Sequence, residues 1–389
     1  MSNKTWLTRA RLAIVVVWLA VVVPGALQLY EHRHFREPVV LGPGVTEVKK
    51  LGDYSPAVRG TVNDCNVYVL DSGVPGGTML VLGSSHPEEP GAVLSAILIV
   101  EQARPTAGRI LVVPRANRSA STVTRPGDAY PQFFTIETEW GERRFRMGDR
   151  WANPLDSWPD PEVYVHYPSR QMLAYMDVRN LNRAWPGRES GLIVERTTFA
   201  LTELIKKEKV DVVIDLHEAE LEYSVISTIV AHQRAADVAA MVSMMLSSME
   251  FKIGVEYSPE KLHGLSHREL GDYTDALVFE PETPEPFLDR VRGVTDERLL
   301  LEGKDEFVMA AGRRGLLYEK IDESGWPIEV RVGRHNSTIA KIAEMYTSFY
   351  TERPILLEGL PLYSELVASG VGKYLADPEA VPSERVAYD

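Results

Sequence analysis

The chain has 389 residues, enough for one large domain or two modest ones with a full hydrophobic core. Hydrophobic residues make up 44% and charged residues 25%, which is ordinary for a folded protein. The net charge of −13 argues against a nucleic-acid partner, because phosphate backbones require basic surfaces. The sequence lacks a P-loop and a glycine-rich dinucleotide fingerprint, and its single cysteine, Cys65, allows no intrachain disulfide.

An uncharged segment near the N-terminus is long enough to cross a membrane. Residues 12–30 carry no charge and follow three basic residues between positions 4 and 11. Their length approaches the roughly 20 residues that span a bilayer. Because a basic flank stays in the cytoplasm, we predict a cytoplasmic segment at 1–11, a single-pass anchor at 12–30 and an extracytoplasmic domain, periplasmic or extracellular. A cleaved signal peptide is the alternative, since it shares the basic flank and the apolar core.

Beyond this segment the sequence predicts strands that alternate with helices. Residues 31–60 have the character of a connector and residues 356–389 that of a C-terminal extension, which leaves 61–355 for the folded domain. Apolar runs and turn residues predict strands at 66–70, 78–82, 109–113, 210–216 and 276–279, and helices at 92–102, 191–207, 235–249 and 336–350. This alternation is typical of an α/β fold with a largely parallel or mixed sheet.

A long stretch rich in Pro, Trp and Tyr interrupts this alternation at 116–179. A segment of that length without regular elements is usually functional, or it carries short elements that the sequence does not reveal. We expect its part around 140–175 to wall a substrate pocket. Near the end of the chain, the polar residues Asn336, Ser337 and Thr338 are expected to cap the last helix.

Two histidines and a glutamate follow predicted strands. His86 and Glu89 come after an apolar strand and a Gly-Ser-Ser turn, and His217 ends another apolar strand. Sites in open α/β sheets form at the carboxyl ends of strands, so we expect both segments to meet in one crevice. Two imidazoles and one carboxylate, with a fourth position left for water, are the ligand set of a catalytic zinc ion. We therefore predict that His86, Glu89 and His217 bind one zinc ion per chain.

Other interpretations of these residues are open. Glu88 could replace Glu89, although the three-residue spacing from the first histidine favours Glu89. A histidine after a strand is more often a hydrogen-bonded structural residue, and either motif alone would be weak. The carboxylates Asp215 and Glu218 are either solvated or orient the imidazole that lies between them in the chain.

The chain contains three motifs in a particular order: His86-x-x-Glu89, then Asn180-Leu181-Asn182-Arg183-Ala184-Trp185-Pro186-Gly187, then Asp215-Leu216-His217. This order resembles that of the zinc carboxypeptidases and the related succinylglutamate desuccinylase/aspartoacylase family. The middle motif is similar to the family's Asp-Leu-Asn-Arg-x-Phe-Pro-Gly, with Asn180 in place of Asp and Trp185 in place of Phe. The resemblance covers residues 78–340 and implies a zinc hydrolase with a carboxypeptidase-like fold, in which helices flank a mixed, mostly parallel sheet.

The resemblance also implies roles for further residues. Asn182 and Arg183 would hold a carboxylate of the substrate, and the planar donor fork of arginine suits that task. Without the flanking motifs, a structural ion pair would be the better interpretation of Arg183. A late glutamate would act as general base, activating the attacking water and then protonating the leaving amine. Glu282 matches this place better than Glu280, because Glu282-Thr283 is similar to the family's Glu-Thr.

Two groups of residues have no settled role. The family uses a further arginine to polarise the scissile carbonyl, for which Arg115, Arg170 and Arg179 are the candidates. Tyr257 and Tyr273 offer phenols that the motifs do not assign. The position of the carbonyl-polarising arginine therefore stays open at the level of the sequence.

These features together predict a membrane-anchored, extracytoplasmic zinc hydrolase. Its substrate would be a small peptide or an N-acyl amino acid, cleaved by metal-activated water at an amide bond next to a carboxylate. The alternatives are an ester hydrolase that uses the same site and a catalytically inactive metal- or peptide-binding module. We expect no nucleic-acid partner, and we expect the membrane to be contacted through the N-terminal helix.

Overall fold

The computed structural model describes residues 3–124, 130–287 and 295–389, with only the backbone described for Asn3 and Lys4. Residues 1–2 of the predicted cytoplasmic segment and residues 125–129 of the predicted irregular stretch lie outside the described residues. The strands are, in chain order, β1 (Pro38–Val40), β2 (Val45–Lys50), β3 (Asn66–Asp71), β4 (Thr78–Leu82), β5 (Arg104–Ala107), β6 (Arg109–Val113), β7 (Phe133–Thr138), β8 (Gly141–Arg146), β9 (Tyr164–Val165), β10 (Met172–Leu173), β11 (Val212–Asp215), β12 (His217–Ala219), β13 (Thr228–Ala231), β14 (Gly254–Tyr257), β15 (Leu277–Pro284), β16 (Leu356–Glu358) and β17 (Val386–Tyr388). The α-helices are α1 (Asn3–His34), α2 (Pro90–Gln102), α3 (Pro154–Ser157), α4 (Ile193–Glu208), α5 (Ala236–Met249), α6 (Ser266–Tyr273), α7 (Glu297–Glu302), α8 (Glu306–Arg313), α9 (Ile328–Phe349) and α10 (Tyr363–Ser369).

A mixed sheet of nine strands forms the centre of the fold. Its order is β14-β13-β15-β11-β4-β6-β3-β2, and β12 lies beside β15. The central strands β6, β4, β11 and β15 are parallel neighbours. By contrast, β2 and β3 at one edge and β13 near the other run antiparallel to their inner neighbours. The predicted α/β fold with a mixed, mostly parallel sheet is confirmed.

Helices cover both faces of this sheet. Successive strand residues point to opposite faces, so alternate residues of one strand pack against different helices. In β4, Met79 and Val81 belong to an apolar cluster shared with α2, α5 and α9. Leu80 and Leu82 belong to a second cluster, shared with α4 and α6. Strands buried on both faces read as continuous apolar runs, which is why the sequence reveals β4 so clearly. The carboxyl ends of β4 and β11 lie at the same edge of the sheet, because these strands are parallel.

The last long helix differs most from its prediction. Strands predicted at 78–82 and 109–113 coincide with β4 and β6. The helix predicted at 336–350 begins earlier, at Ile328, because buried polar residues such as His335 interrupt the apolar pattern of its first turns. Asn336 is therefore not a cap. Asn336 lies more than two turns after the first residue of α9, and its Oδ1 accepts a hydrogen bond from Ser95 Oγ at 2.6 Å.

The segments predicted to flank the domain pack against it. Within the predicted connector at 31–60, β1 pairs with β17 and β2 pairs with β3 of the central sheet. Within the predicted extension at 356–389, β16 pairs with β5. The last residue of the chain, Asp389, is buried, and its carboxylate accepts hydrogen bonds from Asn66 and Tyr68. Both segments are thus parts of the folded domain.

The stretch at 116–179 contains short elements that have weak sequence signals. β7 pairs with β8 and β9 with β10, each as an antiparallel hairpin, and α3 lies between the two hairpins in the chain. Strands of two residues and a helix of four are too short for a recognisable hydrophobic period.

The N-terminal helix α1 has an unusual surface. From Thr5 to Glu31 nearly all of its residues are exposed. Within the described chain it is the one helix that is long and apolar enough to cross a membrane. Membrane anchors and signal sequences share these properties, so α1 is a candidate for either.

Candidate metal centre and substrate pocket

The three predicted metal ligands meet at the carboxyl edge of the sheet. β4 leads through a turn to His86 and Glu89, which directly precedes α2, and His217 begins β12. Glu89 lies between the two imidazoles. Its Oε1 is 2.7 Å from His86 Nδ1, and its Oε2 is 3.1 Å from His217 Nδ1. All three side chains are buried, and one ligand atom of each lies within 4.8 Å of the others. The structure therefore brings the predicted ligands together from two separate strands.

The imidazole of His86 is oriented by Asn180. The backbone N–H of Asn182 donates to Asn180 Oδ1 at 2.9 Å, which identifies that atom as the amide oxygen. The same oxygen is 2.9 Å from His86 Nε2, which donates to it when the proton of the ring is on that nitrogen. The lone pair is then on Nδ1, which lies 2.7 Å from Glu89 Oε1 and 3.1 Å from Arg150 Nη1. Metal-binding histidines have this arrangement, with the distal N–H held by an acceptor.

A carboxylate also lies beside the distal nitrogen of His217. Its Nε2 is 3.2 Å from Asp215 Oδ2, and Asp215 accepts a hydrogen bond from Ser85 Oγ at 2.6 Å. Burial lowers the pKa of His217, but Asp215, Glu89 and Glu280 outweigh burial and raise the pKa well above its usual value. The carboxylates thus favour a cation at this position. In the protein alone, a proton on His217 supplies that charge.

The ionisation of the other two ligands suits a divalent metal. Burial and the nearby Arg150 lower the pKa of His86 to about 4, so its ring is neutral and able to coordinate at neutral pH. Burial raises the pKa of Glu89, but the two histidines outweigh it and the pKa falls below its usual range, which keeps Glu89 ionised. Nitrogen and carboxylate donors of this kind are those that zinc prefers.

A second group of residues lies equally close together, and each of its two carboxylates already accepts a hydrogen bond from a serine. Asp215, His217 and Glu280 could also hold an ion by their spacing. However, Asp215 accepts a hydrogen bond from Ser85 Oγ, and Glu280 accepts one from Ser266 Oγ at 2.6 Å. Asp215 Oδ2 has no hydrogen-bond partner among the described residues and lies 3.2 Å from His217 Nε2. Because one oxygen of each carboxylate is already held by a serine, the ligand set centred on Glu89 is the better candidate.

The candidate metal centre opens into a pocket of about 320 Å³. Besides the three ligands, its wall includes the arginines Arg150 and Arg183, the tyrosine Tyr257, and the glutamates Glu280 and Glu282. Guanidinium groups can hold a carboxylate or stabilise negative charge that develops during a reaction. The pocket thus combines candidate ligands, cations and further carboxylates in one place.

The two residues predicted to hold a substrate carboxylate have different surroundings. Asn182 lines the pocket, its Oδ1 accepts from Ser266 N at 2.8 Å, and its Nδ2 donates to Glu280 Oε2 at 3.2 Å. Arg183 lines the pocket and donates from Nη1 to its neighbour's carbonyl, Asn182 O, at 2.6 Å. Within the described chain no carboxylate pairs with Arg183. Its guanidinium is free to bind an anion, whereas Asn182 orients Glu280.

The two glutamates of β15 also differ in their partners. Glu280 accepts hydrogen bonds from Ser266 and Asn182. Glu282 Oε2 is buried and has no hydrogen-bond partner among the described residues. Burial raises the pKa of Glu282 well above its usual value, with Glu280 and Glu89 adding to the effect and His217 opposing it. The geometry therefore leaves Glu282, and not Glu280, available to exchange a proton with a substrate or a water.

None of the three arginines predicted to polarise a carbonyl lines this pocket. Arg115 is buried in a bidentate ion pair with Glu37, Arg179 pairs with Asp160, and Arg170 is exposed. Of the two tyrosines without an assigned role, Tyr257 lines the pocket and Tyr273 lines a separate cavity.

Arg150 is a charged pocket residue that the sequence did not reveal. Its Nη1 is 3.1 Å from His86 Nδ1, and its Nε is 3.1 Å from Glu88 Oε1. The only signal in the sequence was its place in the stretch at 140–175, which we expected to wall the pocket. Glu88, the alternative ligand, is directed towards Arg150. The nitrogen atoms nearest to Glu89 belong to His86 and His217, at 2.7 and 3.1 Å, whereas Arg150 Nη2 is 3.8 Å away.

The chain is similar to several solved structures, each at low sequence identity. No family model and no curated protein matches the chain. A succinylglutamate desuccinylase from Silicibacter sp. is 16% identical over 56% of this chain and 53% of its own, with a TM-score of 0.33. An aspartoacylase family protein from Mesorhizobium loti is 19% identical over 56% of this chain and 55% of its own, with a TM-score of 0.33. A metallo-carboxypeptidase from Burkholderia cenocepacia is 12% identical over 83% of this chain and 68% of its own, with a TM-score of 0.42.

The similar solved structures therefore include both groups of proteins that the motifs resemble. The chain spans about half the length of the desuccinylase and of the aspartoacylase family protein. The fold and the pocket alone show an α/β protein with a candidate metal centre at the carboxyl edge of a mixed sheet.

Proposed function

We propose that this chain is a zinc-dependent hydrolase that cleaves an amide bond next to a substrate carboxylate. The observation that carries the proposal is the set of His86, Glu89 and His217, buried around one point, with the unpartnered carboxylate of Glu282 in the same pocket. We further propose that α1 is a single-pass anchor and that the domain lies outside the cytoplasm. The absence of charge along residues 12–30 and the basic residues before them support this topology.

The two histidines, His86 and His217, would each hold the metal ion through Nδ1, and Glu89 would hold it through its carboxylate. When bound, zinc polarises a carbonyl and lowers the pKa of a water to about 7. Glu282 accepts a proton from the attacking water on its carboxylate and then donates that proton to the leaving amine. A raised pKa makes the carboxylate of Glu282 a stronger base towards the attacking water.

The two pocket arginines take separate tasks. Arg150 lies beside His86 and would stabilise the negative charge that develops on the carbonyl oxygen. Arg183 would bind the carboxylate of the substrate, since it lines the pocket without a carboxylate partner in the described chain. Asn182 acts through Glu280, which it holds by a hydrogen bond. A pocket of about 320 Å³ with these groups suits a peptide C-terminus or an N-acyl amino acid.

The test is a hydrolysis assay with the zinc-loaded full-length chain in detergent, against a panel of peptides with free C-termini, N-acyl amino acids and the corresponding esters. Glu282→Gln should lower kcat by about 10²–10⁴-fold and leave zinc content unchanged. Glu256→Gln is the matched control, because Glu256 lines the same pocket but is exposed, and its kcat should stay close to that of the parent chain.

Three outcomes would contradict parts of this proposal. Equal turnover by Glu282→Gln would remove Glu282 as the base. Turnover of esters alone would replace the amide bond by an ester bond at the same site. No hydrolysis of any panel member by a zinc-loaded, folded chain would favour a catalytically inactive binding module.

A further inference from the structure

Outside α1, the two most exposed large apolar side chains of the described residues lie in one short segment. Leu155 in α3 is 78% exposed, and Trp158, which directly follows α3, is 76% exposed. Exposed apolar side chains that lie close together are typical of surfaces that contact a partner or a membrane.

The last turn of α1 is fixed to this segment. Arg33 Nη2 donates to Asp156 Oδ1 at 2.6 Å, and Arg33 Nη1 donates to Asp156 Oδ2 at 3.4 Å. His32 is buried, and its Nε2 donates to Met147 O at 2.8 Å. Asp156 lies between Leu155 and Trp158 in the chain. The ion pair therefore holds the segment that carries both apolar side chains at the end of α1.

The helix also fixes the position of this segment along the α1 axis, relative to the apolar run that would span a membrane. Tyr30 is the last residue of the uncharged run, and Arg33 follows it by about 4.5 Å at a rise of 1.5 Å per residue. A cavity of about 800 Å³ is lined by Gln28, Leu29 and Tyr30 of α1 together with Leu155. Leu155 is therefore level with the last apolar turn of the helix.

We propose that Leu155 and Trp158 insert into the interfacial layer of the bilayer that holds α1 and form a second membrane contact. The proposal rests on the membrane anchoring in the proposed function, because α1 determines the level of the segment. Tryptophan is enriched at membrane interfaces, and apolar side chains of interfacial segments enter the boundary by about 5–10 Å. Two contacts, a helix and an adjoining apolar edge, prevent the domain from rotating freely about its anchor.

The same stretch of chain reaches the substrate pocket. Tyr164, in β9, donates from its hydroxyl to the carbonyl of Arg183 at 3.3 Å. Arg179, which follows β10, pairs with Asp160 at 3.0 Å. The segment that meets the bilayer at Leu155 is thus continuous with the segment that supports the pocket at Arg183. A fixed membrane contact would hold the pocket at a constant orientation to the bilayer.

The experiment measures the depth of single nitroxide labels on the full-length chain in phosphatidylcholine vesicles. The native Cys65 is 1% exposed, and burial raises the pKa of its thiol to about 12, so labels attach selectively to an exposed engineered cysteine. The labelled variants are Leu155→Cys, Trp158→Cys, Val16→Cys within α1, and Met249→Cys. Met249 is the matched control, a 66% exposed apolar residue of α5.

The readout is the collision rate of each label with oxygen, which concentrates in the bilayer, relative to a water-soluble nickel chelate. We expect this ratio to be several-fold higher at positions 155 and 158 than at 249, and highest at 16. Water-like ratios at 155 and 158, with a bilayer-like ratio at 16, would overturn the second contact and leave the anchor intact. Water-like ratios at all four positions would overturn the anchor and the contact together. Because two positions of the same segment, 155 and 158, are labelled separately, misfolding of one variant does not decide the result.

Discussion

The amide of Asn180 should control how tightly the candidate centre binds zinc. Its Oδ1 is 2.9 Å from His86 Nε2, and both side chains are buried. An acceptor at this place fixes the ring and increases the basicity of the opposite nitrogen. The sequence has an amide where the family that it resembles has a carboxylate, so the ring of His86 is held by a neutral acceptor.

Two substitutions separate orientation from charge. Asn180→Ala removes the acceptor and should weaken zinc binding by about 10–100-fold, which corresponds to about 1.4–2.7 kcal/mol, because partners of ligating histidines contribute that much. Asn180→Asp keeps both accepted hydrogen bonds, from His86 Nε2 and from Asn182 N, and adds a negative charge. It should therefore strengthen zinc binding by about tenfold.

The assay is competition for zinc between a chromogenic chelator and the full-length chain in detergent. Asn153→Ala is the matched control: Asn153 is a buried amide that caps α3, and its loss should leave zinc affinity unchanged. Unchanged affinity in Asn180→Ala would refute the reasoning, because it would mean that His86 is not a ligand or that Nε2 is not its distal nitrogen. Weaker binding by Asn180→Asp would refute the charge argument alone.

Two further predictions concern pH and stability. Zinc affinity should rise about tenfold per pH unit near neutrality, because carboxylates raise the pKa of His217 and zinc must displace its proton; a flat pH profile in the same chelator assay would contradict this. Glu37→Gln should lower the free energy of unfolding by about 3 kcal/mol in urea titrations, because it leaves the buried guanidinium of Arg115 without its charge partner. A loss well under 1 kcal/mol would contradict the importance of that ion pair.

The sequence predicted the centre of the sheet well, for a physical reason. Parallel strands that are buried on both faces, such as β4 and β6, are short apolar runs between turn residues, and their bounds can be read directly. The start of α9 could not be predicted, because its first turns carry buried polar residues, some of which are paired with residues far away in the chain. Arg331, for example, pairs with Glu218 and Glu285.

In the candidate site, too, some residues could be predicted from the sequence and others could not. Residues that follow strands, such as His86 and His217, could be found because sheet geometry brings strand ends together. Arg150 could not, since it reaches the pocket from the stretch at 140–175, where short hairpins leave no periodic signal. The engagement of Asn182 with Glu280 and Ser266 is likewise a tertiary contact that spacing along the chain does not encode.

The metal content of the purified full-length chain tests the central claim most directly. After equilibration with zinc and removal of excess ion, the parent chain should retain about one zinc per chain, held by three protein ligands. Glu88→Gln should retain it as well, whereas Glu89→Gln and His217→Ala should lose most of it. Less than about half an equivalent in the folded parent chain, or equal zinc retention by Glu89→Gln and the parent, would contradict the account.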